Sequence, residues 1–366
     1  VGSEMCIRDR KNILYLGKLY SPKLLKTIIK DSKGKVSMSN HNFEMSLLNG
    51  LCQQNNINLK CVIIPGVYSF PYNNKKFYTP SENYKYKDTD IYSVGFCNLP
   101  IIKEFWSTIL CAWQIFKCIK YFDGNRIDII MNTPTNGFFN ALKLACWFIK
   151  KQITTTVIIP DIPSMVYSMS NHNFFKKMIL KRKNMVVMEK TSNVNGLVLL
   201  TEEMMDFVSK PVKHIVMEGI IDVCTMDIPS KNKANTDKQI ILYTGTLRRI
   251  FGVMNLVYAF EKISNNNIEL WICGSGDSKE DIEEAANKDK RIKFFGLVDS
   301  KTALEMQHHA TILVNPRTSE GEYTKYSFPS KTMEYLLAGK SVIINKLPGI
   351  PVEYYDYVYC CLLYTS

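Results

Sequence analysis

Residues 317–334, near the end of the chain, concentrate side chains that could bind an anion. The charged and hydroxyl-bearing members include Arg317, Glu320, Glu322, Lys325, Ser327, Ser330, Lys331 and Glu334. A helix that begins at Pro329-Ser330 would present unpaired backbone N–H groups to an anion, with Lys331 in its first turn. Glu334 follows one turn later, where a carboxylate suits the paired hydroxyls of a ribose. The segment could therefore bind a phosphorylated ligand; the alternative is a capped surface loop with solvated charges.

Glycine turns end three neighbouring apolar runs. They are Gly245-Thr246, Gly274-Ser275-Gly276 and Gly296-Leu297, and Asn315-Pro316-Arg317 ends a fourth run. In open α/β sheets, ligands bind beyond the carboxyl ends of the strands, and glycine there lets the backbone approach a phosphate. The turn at 274–277 lacks the spacing of the dinucleotide fingerprint, so taken alone it indicates only a tight turn.

Short apolar runs alternate with helical periods along the chain, which is typical of βαβ units. The predicted strands of the N-terminal half are 12–17, 60–66, 126–134, 153–163, 194–201 and 214–220. Its predicted helices are 42–54, 101–121 and 137–151, with a polar stretch before the first helix and a long loop at 68–90. The C-terminal half has predicted strands at 240–246, 268–277, 291–298, 310–316 and 341–346, and helices at 252–263, 279–288, 301–309 and 330–340. The predicted fold class is α/β, with two Rossmann-like domains whose parallel sheets face an interdomain cleft.

The expected domain boundaries follow from composition. Residues 228–239 are polar and poor in hydrophobic residues, so we expect a linker between an N-terminal domain (11–227) and a C-terminal domain (240–360). Residues 1–10 and 361–366 resemble translated adaptor sequence, so we expect a non-native leader and tail. The C-terminal domain is then expected to be truncated.

Composition excludes several classes of protein. With 366 residues, 46% hydrophobic and 22% charged, the chain can bury real cores, which argues against disorder, collagen and coiled coil. No run of 18 apolar residues without charge occurs, so a membrane-spanning helix is not expected. Eleven cysteines without metal-ligand spacing suit a reducing compartment. The adjacent His308 and His309 favour a surface or packing role over metal binding.

The positive charge is confined to the N-terminal half. Residues 1–220 hold 29 Lys and Arg against 16 Asp and Glu, whereas residues 221–366 hold 17 against 18. That half is therefore expected to meet an anionic partner, either nucleic-acid phosphate or lipid headgroups, unless it is an ordinary basic surface. No recognition helix or RNA-binding aromatic motif is visible, which argues against nucleic acid.

Two segments of this half suggest an interfacial membrane anchor. The predicted helix around 104–122 interleaves Trp106 and Trp113 with Lys117 and Lys120; its alternative is a helix that faces the core. The second segment, FFKKMILKRK, places Phe174 and Phe175 beside a basic cluster, and a plain surface explains it equally well. The basic residues of that cluster are Lys176, Lys177, Lys181, Arg182 and Lys183.

Five blocks of the C-terminal half resemble the nucleotide-sugar domain of glycosyltransferase family 4 (glycosyl transferases group 1), retaining enzymes of GT-B fold. The blocks are YTGTLRRIFGVMNLVYAF, ELWICGSGD, RIKFFGLV, ILVNPRTSEGEYTKYSFPSKTMEYLLAGKSVI and KLPGIPVEYYDYV, which span roughly 240–358 in the family's order. The fourth block is similar to a branch common in exopolysaccharide and capsule gene clusters. The first half resembles the family's acceptor domains in strand order and in pieces such as VIIPDIPSM, LVLLTEEMMDF and VMEGIID.

The resemblance implies transfer of a sugar from a nucleotide-diphosphate sugar with retention at the anomeric carbon. Fixed positive charge and helix N-terminal amides can stabilise the leaving diphosphate, so no metal is expected. The residues implied to stabilise the diphosphate are Arg248, Arg249 and Lys331. The implied donor-binding residues are Gly245, Thr246, Gly274, Gly276, Leu297, Val298, Arg317, Lys325, Tyr326, Ser327, Ser330 and Glu334, with Glu334 on the ribose.

The sequence departs from the family at three positions. Tyr326 stands where the family has the first of two glutamates, unless Glu320 or Glu322 takes that role. Thr246 and Phe251 stand where the family has basic residues, although Arg248 and Arg249 lie between them. The expected partners are a nucleotide-sugar donor and a lipid-linked or oligosaccharide acceptor, at the inner face of the cytoplasmic membrane. The alternatives are a catalytically silent nucleotide-sugar-binding subunit or a basic nucleic-acid-binding protein.

Overall fold

The computed structural model describes residues 10–31, 38–71, 75–162, 174–221 and 238–361. The chain divides into two compact units, Val1–Asp222 and Val223–Ser366. Most of the expected leader, linker and tail lies outside the described residues.

The first unit is built on an eight-stranded sheet in the order β10-β9-β8-β7-β1-β2-β5-β4, parallel except for the β4–β5 pair. Its strands are β1 (Lys11–Gly17), β2 (Ile57–Ile63), β4 (Glu82–Tyr86), β5 (Thr89–Ser93), β7 (Arg126–Asn132), β8 (Gln152–Ile159), β9 (Gly196–Leu199) and β10 (His214–Val216). A separate antiparallel pair is formed by β3 (Tyr78–Thr79) and β6 (Phe96–Cys97). The helices are α1 (Pro22–Asp31), α2 (Met38–Cys52), α3 (Pro100–Tyr121), α4 (Asn136–Cys146) and α5 (Phe174–Thr191).

The second unit is a six-stranded, fully parallel sheet in the order β13-β12-β11-β14-β15-β16. Its strands are β11 (Gln239–Thr244), β12 (Ile268–Cys273), β13 (Ile292–Gly296), β14 (Ile312–Asn315), β15 (Ser341–Asn345) and β16 (Tyr359–Cys361). Its helices are α6 (Val253–Glu261), α7 (Lys279–Lys288), α8 (Ser300–His309) and α9 (Ser330–Leu337). Strands and helices alternate, so the predicted α/β class with two Rossmann-like domains is confirmed.

Each unit has its own apolar core. In the first unit, Tyr15, Leu48 and Ile91 are among the buried residues that join the sheet to α2. In the second unit, Val257 and Phe260 of α6 pack with Ile282 of α7 against β11 and β12. These cores fix the strand ends, and therefore the loops that follow them.

Two predictions for the N-terminal half were wrong. The long loop predicted at 68–90 contains β3, β4 and the start of β5, because alternate residues of β4, Tyr84 and Tyr86, pack against the core and outweigh the Pro- and Asn-rich composition. The polar stretch before the first predicted helix contains α1. The Ser21 hydroxyl accepts from Leu24 N (3.1 Å) and caps this helix, which Leu24 and Ile28 anchor in an apolar cluster.

Candidate functional site

The glycine turns of the second unit lie together at the carboxyl edge of its parallel sheet. Leu247 N donates to Ser275 O (2.9 Å), and Ser278 N donates to Leu247 O (2.9 Å), which joins the turns after β11 and β12. Gly274 N donates to Gly296 O at the end of β13 (2.7 Å). These bonds bring together four residues predicted to bind the donor: Gly245, Thr246, Gly274 and Gly276.

The contact between these turns requires glycine. A Cβ atom on Gly274, whose φ is +145°, would lie 1.8 Å from the carbonyl oxygen of Gly245. A Cβ atom on Gly276 would lie 2.3 Å from the carbonyl oxygen of Leu247. The turn therefore presents bare backbone beyond the strands, which is the surface that a phosphate group needs.

The Arg317 guanidinium lies against two neighbouring aromatic rings, whose centroids are 6.5 Å apart. Its Cζ is 5.1 Å from the ring centroid of Phe251 and 4.9 Å from that of Tyr323. Arg317 Nη2 donates to Ser327 Oγ (2.9 Å), whereas Nε is buried without a hydrogen-bond partner among the described residues. A buried N–H without an acceptor costs free energy. An anion that reached this guanidinium would supply such an acceptor.

The ring of Phe251 also contacts a second guanidinium, that of Arg248. The Cζ of Arg248 is 5.7 Å from the same ring centroid. Cation–π contacts of this kind keep an arginine fixed while its N–H groups remain able to donate. Phe251 stands where the resembling family has a lysine. Its ring therefore contacts two arginines close to the position at which the family has that lysine.

Arg249 is directed elsewhere. Its Nη2 forms an ion pair with Asp281 Oδ2 on α7 (2.5 Å), and its backbone N–H donates to Asp277 Oδ1 (2.8 Å). The two neighbouring arginines therefore have different surroundings. Arg248 lies with Arg317, and Arg249 ties its loop to the start of α7.

Helix α9 begins at Ser330 after Pro329, and no side chain caps it, so its first N–H groups face outward from the helix end. Lys331 Nζ forms an ion pair with Glu334 Oε2 (2.5 Å), and both side chains are partly exposed. Gln307 Nε2 lies 3.4 Å from the same oxygen. Because both contacts use Oε2, the Oε1 atom of Glu334 remains an acceptor for ligand hydroxyls among the described residues.

The other predicted site residues are placed around this helix start. Lys325 and Tyr326 end a 3₁₀ helix (Glu322–Tyr326), and Ser327 follows it. Leu297 is 80% exposed after β13, and Val298 is half-buried. Glu320 and Glu322 are exposed, whereas Tyr326 is half-buried.

The first unit has a polar cluster that the sequence analysis missed. It lies at the ends of β1 and β7, where the order of connections reverses, and such switch points bind ligands in open α/β sheets. Glu44 Oε2 accepts from Lys18 N (2.8 Å) and from the Tyr15 hydroxyl (3.1 Å). Among the described residues, Glu44 Oε1 and both polar atoms of the Asn132 side chain are buried without a hydrogen bond of good geometry, although the Asn132 amide lies close enough to Glu44 to lower its pKa. These orphaned atoms mark a place where a hydroxyl-bearing ligand could bond.

The carboxyl and amine groups of this cluster have pKa values that are shifted towards neutral pH. Burial raises the pKa of Glu44 to about 7, and the N–H of Lys18 offsets only part of that effect. Burial lowers the pKa of Lys18, and burial together with repulsion from Lys18 lowers the pKa of Lys103 to about 8. Two strand exits, Gly17-Lys18 and Asn132-Thr133, were visible in the sequence. Nothing in the helical pattern around Glu44 distinguished it from a surface residue.

Potential metal ligands are scattered in the described parts of the chain, where no group of three or more His, Cys, Asp or Glu could hold an ion. One Asp-x-Asp sequence occurs, at Asp88–Asp90, but it lies around the turn between β4 and β5, and Asp90 pairs with Lys60 (3.4 Å). His308 and His309 end α8. None of the described helices is long and apolar enough to span a membrane.

Solved structures of glycosyltransferases share this fold. Sucrose-phosphate synthase from Thermosynechococcus elongatus superposes with a TM-score of 0.56 at 13% identity, over 96% of this chain and 86% of that one. Anabaena Alr3699/HepE in complex with UDP gives 0.54 at 12%, over 96% and 85%. A trehalose-6-phosphate synthase, described in a study of glycosyl transfer with retention, gives 0.52 at 9%, over 92% and 84%. The chain therefore has the GT-B fold class of two Rossmann-like domains.

The second unit also matches the sequence model of a protein family. Residues 238–358 match the family described as "Glycosyl transferases group 1". The matched segment runs from the start of β11 to the end of the last 3₁₀ helix, so it contains every predicted donor-binding residue. No curated protein matches the chain.

Proposed function

We propose that the protein transfers a sugar from a nucleotide-diphosphate sugar to a glycan acceptor with retention at the anomeric carbon. The observation that carries this proposal is the convergence, at one strand edge, of bare glycine backbone, the orphaned Arg317 N–H and the uncapped start of α9. The family match over residues 238–358 supports it, as do similar folds described with UDP and with retention.

In this proposal the second unit binds the donor. The leaving diphosphate is stabilised by the side chains of Arg248, Arg317 and Lys331 and by the N–H groups of Ser330 and Lys331. A prearranged positive site of low dielectric constant can stabilise this charge without a metal. Glu334 accepts hydrogen bonds from the ribose hydroxyls. Arg249 holds the loop after β11 against α7 through Asp281.

The first unit binds the acceptor. Glu44 Oε1 and the Asn132 amide offer a buried acceptor and donor to a sugar hydroxyl, and the amines of Lys18 and Lys103 lie close enough to each other to repel. A carboxyl with a pKa of about 7 can exchange a proton with that hydroxyl near neutral pH. The acceptor we propose is a lipid-linked glycan of surface polysaccharide synthesis.

The test is release of nucleoside diphosphate from a panel of nucleotide-sugars, with and without a lipid extract as acceptor. We expect one donor to be turned over by the wild-type chain and by the control Lys288→Ala, which removes an exposed lysine at the C-terminal end of α7. Lys331→Ala should lower turnover at least tenfold, because one charge on the leaving group is lost. Nucleotide binding without turnover of any donor would instead identify a silent binding subunit.

A further inference from the structure

Three helices of the first unit share one side of its sheet. The connections from β5 to β7, from β7 to β8 and from β8 to β9 all step towards the same end of the sheet, so right-handed crossovers place α3, α4 and α5 on one face. Lys183 Nζ of α5 pairs with Glu104 Oε2 of α3 (2.9 Å), and Lys190 Nζ of α5 donates to Asn140 Oδ1 of α4 (2.8 Å). The three helices therefore form one continuous layer.

Helix α3 is apolar on two sides. Its inner side buries Cys111, Ile115 and Ile119 against the sheet. Its outer side exposes Phe105, Trp106, Ile109 and Trp113. A helix at the surface of a soluble domain needs only the first of these stripes. The predicted alternative, a helix that simply faces the core, explains only half of its residues.

The outer stripe continues onto the neighbouring helices. Trp147 and Phe148, at the end of α4, are 75% and 80% exposed, and their rings stack with centroids 6.5 Å apart. Lys151 Nζ donates to the carbonyl of Phe122, which holds the end of α4 beside the end of α3. We call the exposed apolar residues of this layer the helical face. They are Ile102, Phe105, Trp106, Ile109, Trp113, Leu144, Trp147, Phe148, Met178, Ile179, Met185 and Val186.

Positive charge surrounds the helical face. Lys117 Nζ lies 5.1 Å from the ring centroid of Trp113. The other exposed basic residues of the layer are Lys120, Lys143, Lys150, Lys181, Arg182 and Lys183. Its described acidic residues are Glu104, which is paired with Lys183, and Glu189. The surface is thus apolar, rich in tryptophan and rimmed by net positive charge.

We propose that the helical face binds the surface of a membrane that contains anionic phospholipids. Tryptophan and phenylalanine rings enter the boundary between headgroups and acyl chains, and lysines bind the headgroup phosphates. A symmetric dimer through this face would set two positively charged rims against each other. Binding of nucleic acid would not account for the exposed Ile, Leu and Met side chains of this face. This inference deepens the proposed function, on whose lipid-linked acceptor it rests, because such an acceptor lies at a membrane; its evidence is the helical face and not the donor-binding residues.

The experiment measures binding of the full chain to phosphatidylcholine vesicles with and without phosphatidylglycerol. Three of the four tryptophans lie on the helical face, so fluorescence quenching by brominated lipid reports their insertion directly. We expect binding to the anionic vesicles that weakens as salt rises. The double variant Trp113→Ser/Phe148→Ser should bind at least tenfold more weakly, since each ring contributes the free energy of burying a large apolar side chain.

Tyr258→Ser/Tyr357→Ser, which removes two exposed aromatic rings of the second unit, is the matched control and should bind as the wild type does. Lys117→Gln/Lys120→Gln should weaken only the binding to anionic vesicles. Thermal unfolding and donor turnover, both measured without lipid, should be the same in all variants as in the wild type. A loss of vesicle binding can then be distinguished from a failure of the proposed function. Equal vesicle affinity of the two aromatic variants would overturn the proposal. Self-association lost in Trp113→Ser/Phe148→Ser, or salt-sensitive binding to an oligonucleotide with no lipid quenching, would overturn it too.

Discussion

At the scale of single residues, the proposed donor site depends on how the charges of Arg317, Lys331 and Glu334 are held. Arg317 lies against the rings of Phe251 and Tyr323, and Lys331 is paired with Glu334. The sequence predicted these side chains from a segment rich in charge before a helix start. The sequence could not predict the role of Phe251. An aromatic residue at a position where the family has a lysine does not indicate that its ring will contact two guanidinium groups.

The first expected outcome concerns Glu334. Glu334→Ala should weaken nucleoside diphosphate binding at least tenfold, because the ribose loses its carboxylate acceptor and such charged hydrogen bonds contribute about 1.5–3 kcal/mol. Isothermal titration measures the loss. Glu261→Ala, which removes an exposed carboxylate at the C-terminal end of α6, is the control and should leave affinity unchanged. Equal affinities in both variants would remove Glu334 from the site.

The second expected outcome concerns Glu44 and pH. Its folded-state pKa of about 7 lies above the ordinary value, so the folded chain binds more protons than the unfolded chain between the two values, and stability falls as pH rises from about 4.5 to 7. Glu44→Gln should remove this fall. The free energy of unfolding of the variant, compared with that of the wild type, should therefore be up to about 3 kcal/mol more favourable at pH 8 than at pH 5. Unfolding midpoints at both pH values measure it. Parallel pH profiles for wild type and variant would contradict the assignment.

At the scale of elements, the second unit could be predicted well. Its strands end at Gly245, Gly274, Gly296 and Asn315 or within a residue or two of them, and glycine and proline mark those ends clearly. The first unit was harder to predict. Tyr84 and Tyr86 form an edge strand because they pack on the core, and that long-range contact outweighs a local composition typical of loops.

The third expected outcome concerns the contact between turns. Gly274→Ala should destabilise the second unit by several kcal/mol and abolish nucleotide binding, because its Cβ meets the carbonyl of Gly245. Gly339→Ala is the matched control. Its φ is also positive, at +64°, but no atom lies within 4 Å of the added Cβ, so the cost should be only about 1–2 kcal/mol. Thermal unfolding and titration measure both. Similar losses in the two variants would show that the turns are not joined as described.

At the scale of the whole molecule, charge and chemistry are divided between the two units. The first carries the basic surplus, the helical face and the Glu44 cluster, and the second carries the strand edge that we propose binds an anion. The charge division was visible in the sequence, as were two basic and aromatic segments that contribute to the helical face, but the continuity of that face was not. Periodicity alone cannot show that the exposed stripe of α3 continues onto α4 and α5, because that continuity depends on the crossover direction of the sheet.

The central claim is that the second unit binds a nucleoside diphosphate without a metal. The most direct test is thermal unfolding of the full chain with UDP, GDP, ADP or dTDP, with magnesium or with EDTA. We expect one nucleotide to raise the unfolding midpoint by a few degrees, since saturation at a hundred times Kd adds about 2.7 kcal/mol. The shift should persist in EDTA and fall to about half or less in Glu334→Ala, because a tenfold loss of affinity leaves about 1.4 kcal/mol at the same ligand concentration. No shift with any of the four nucleotides, or a shift that requires magnesium, would contradict the claim.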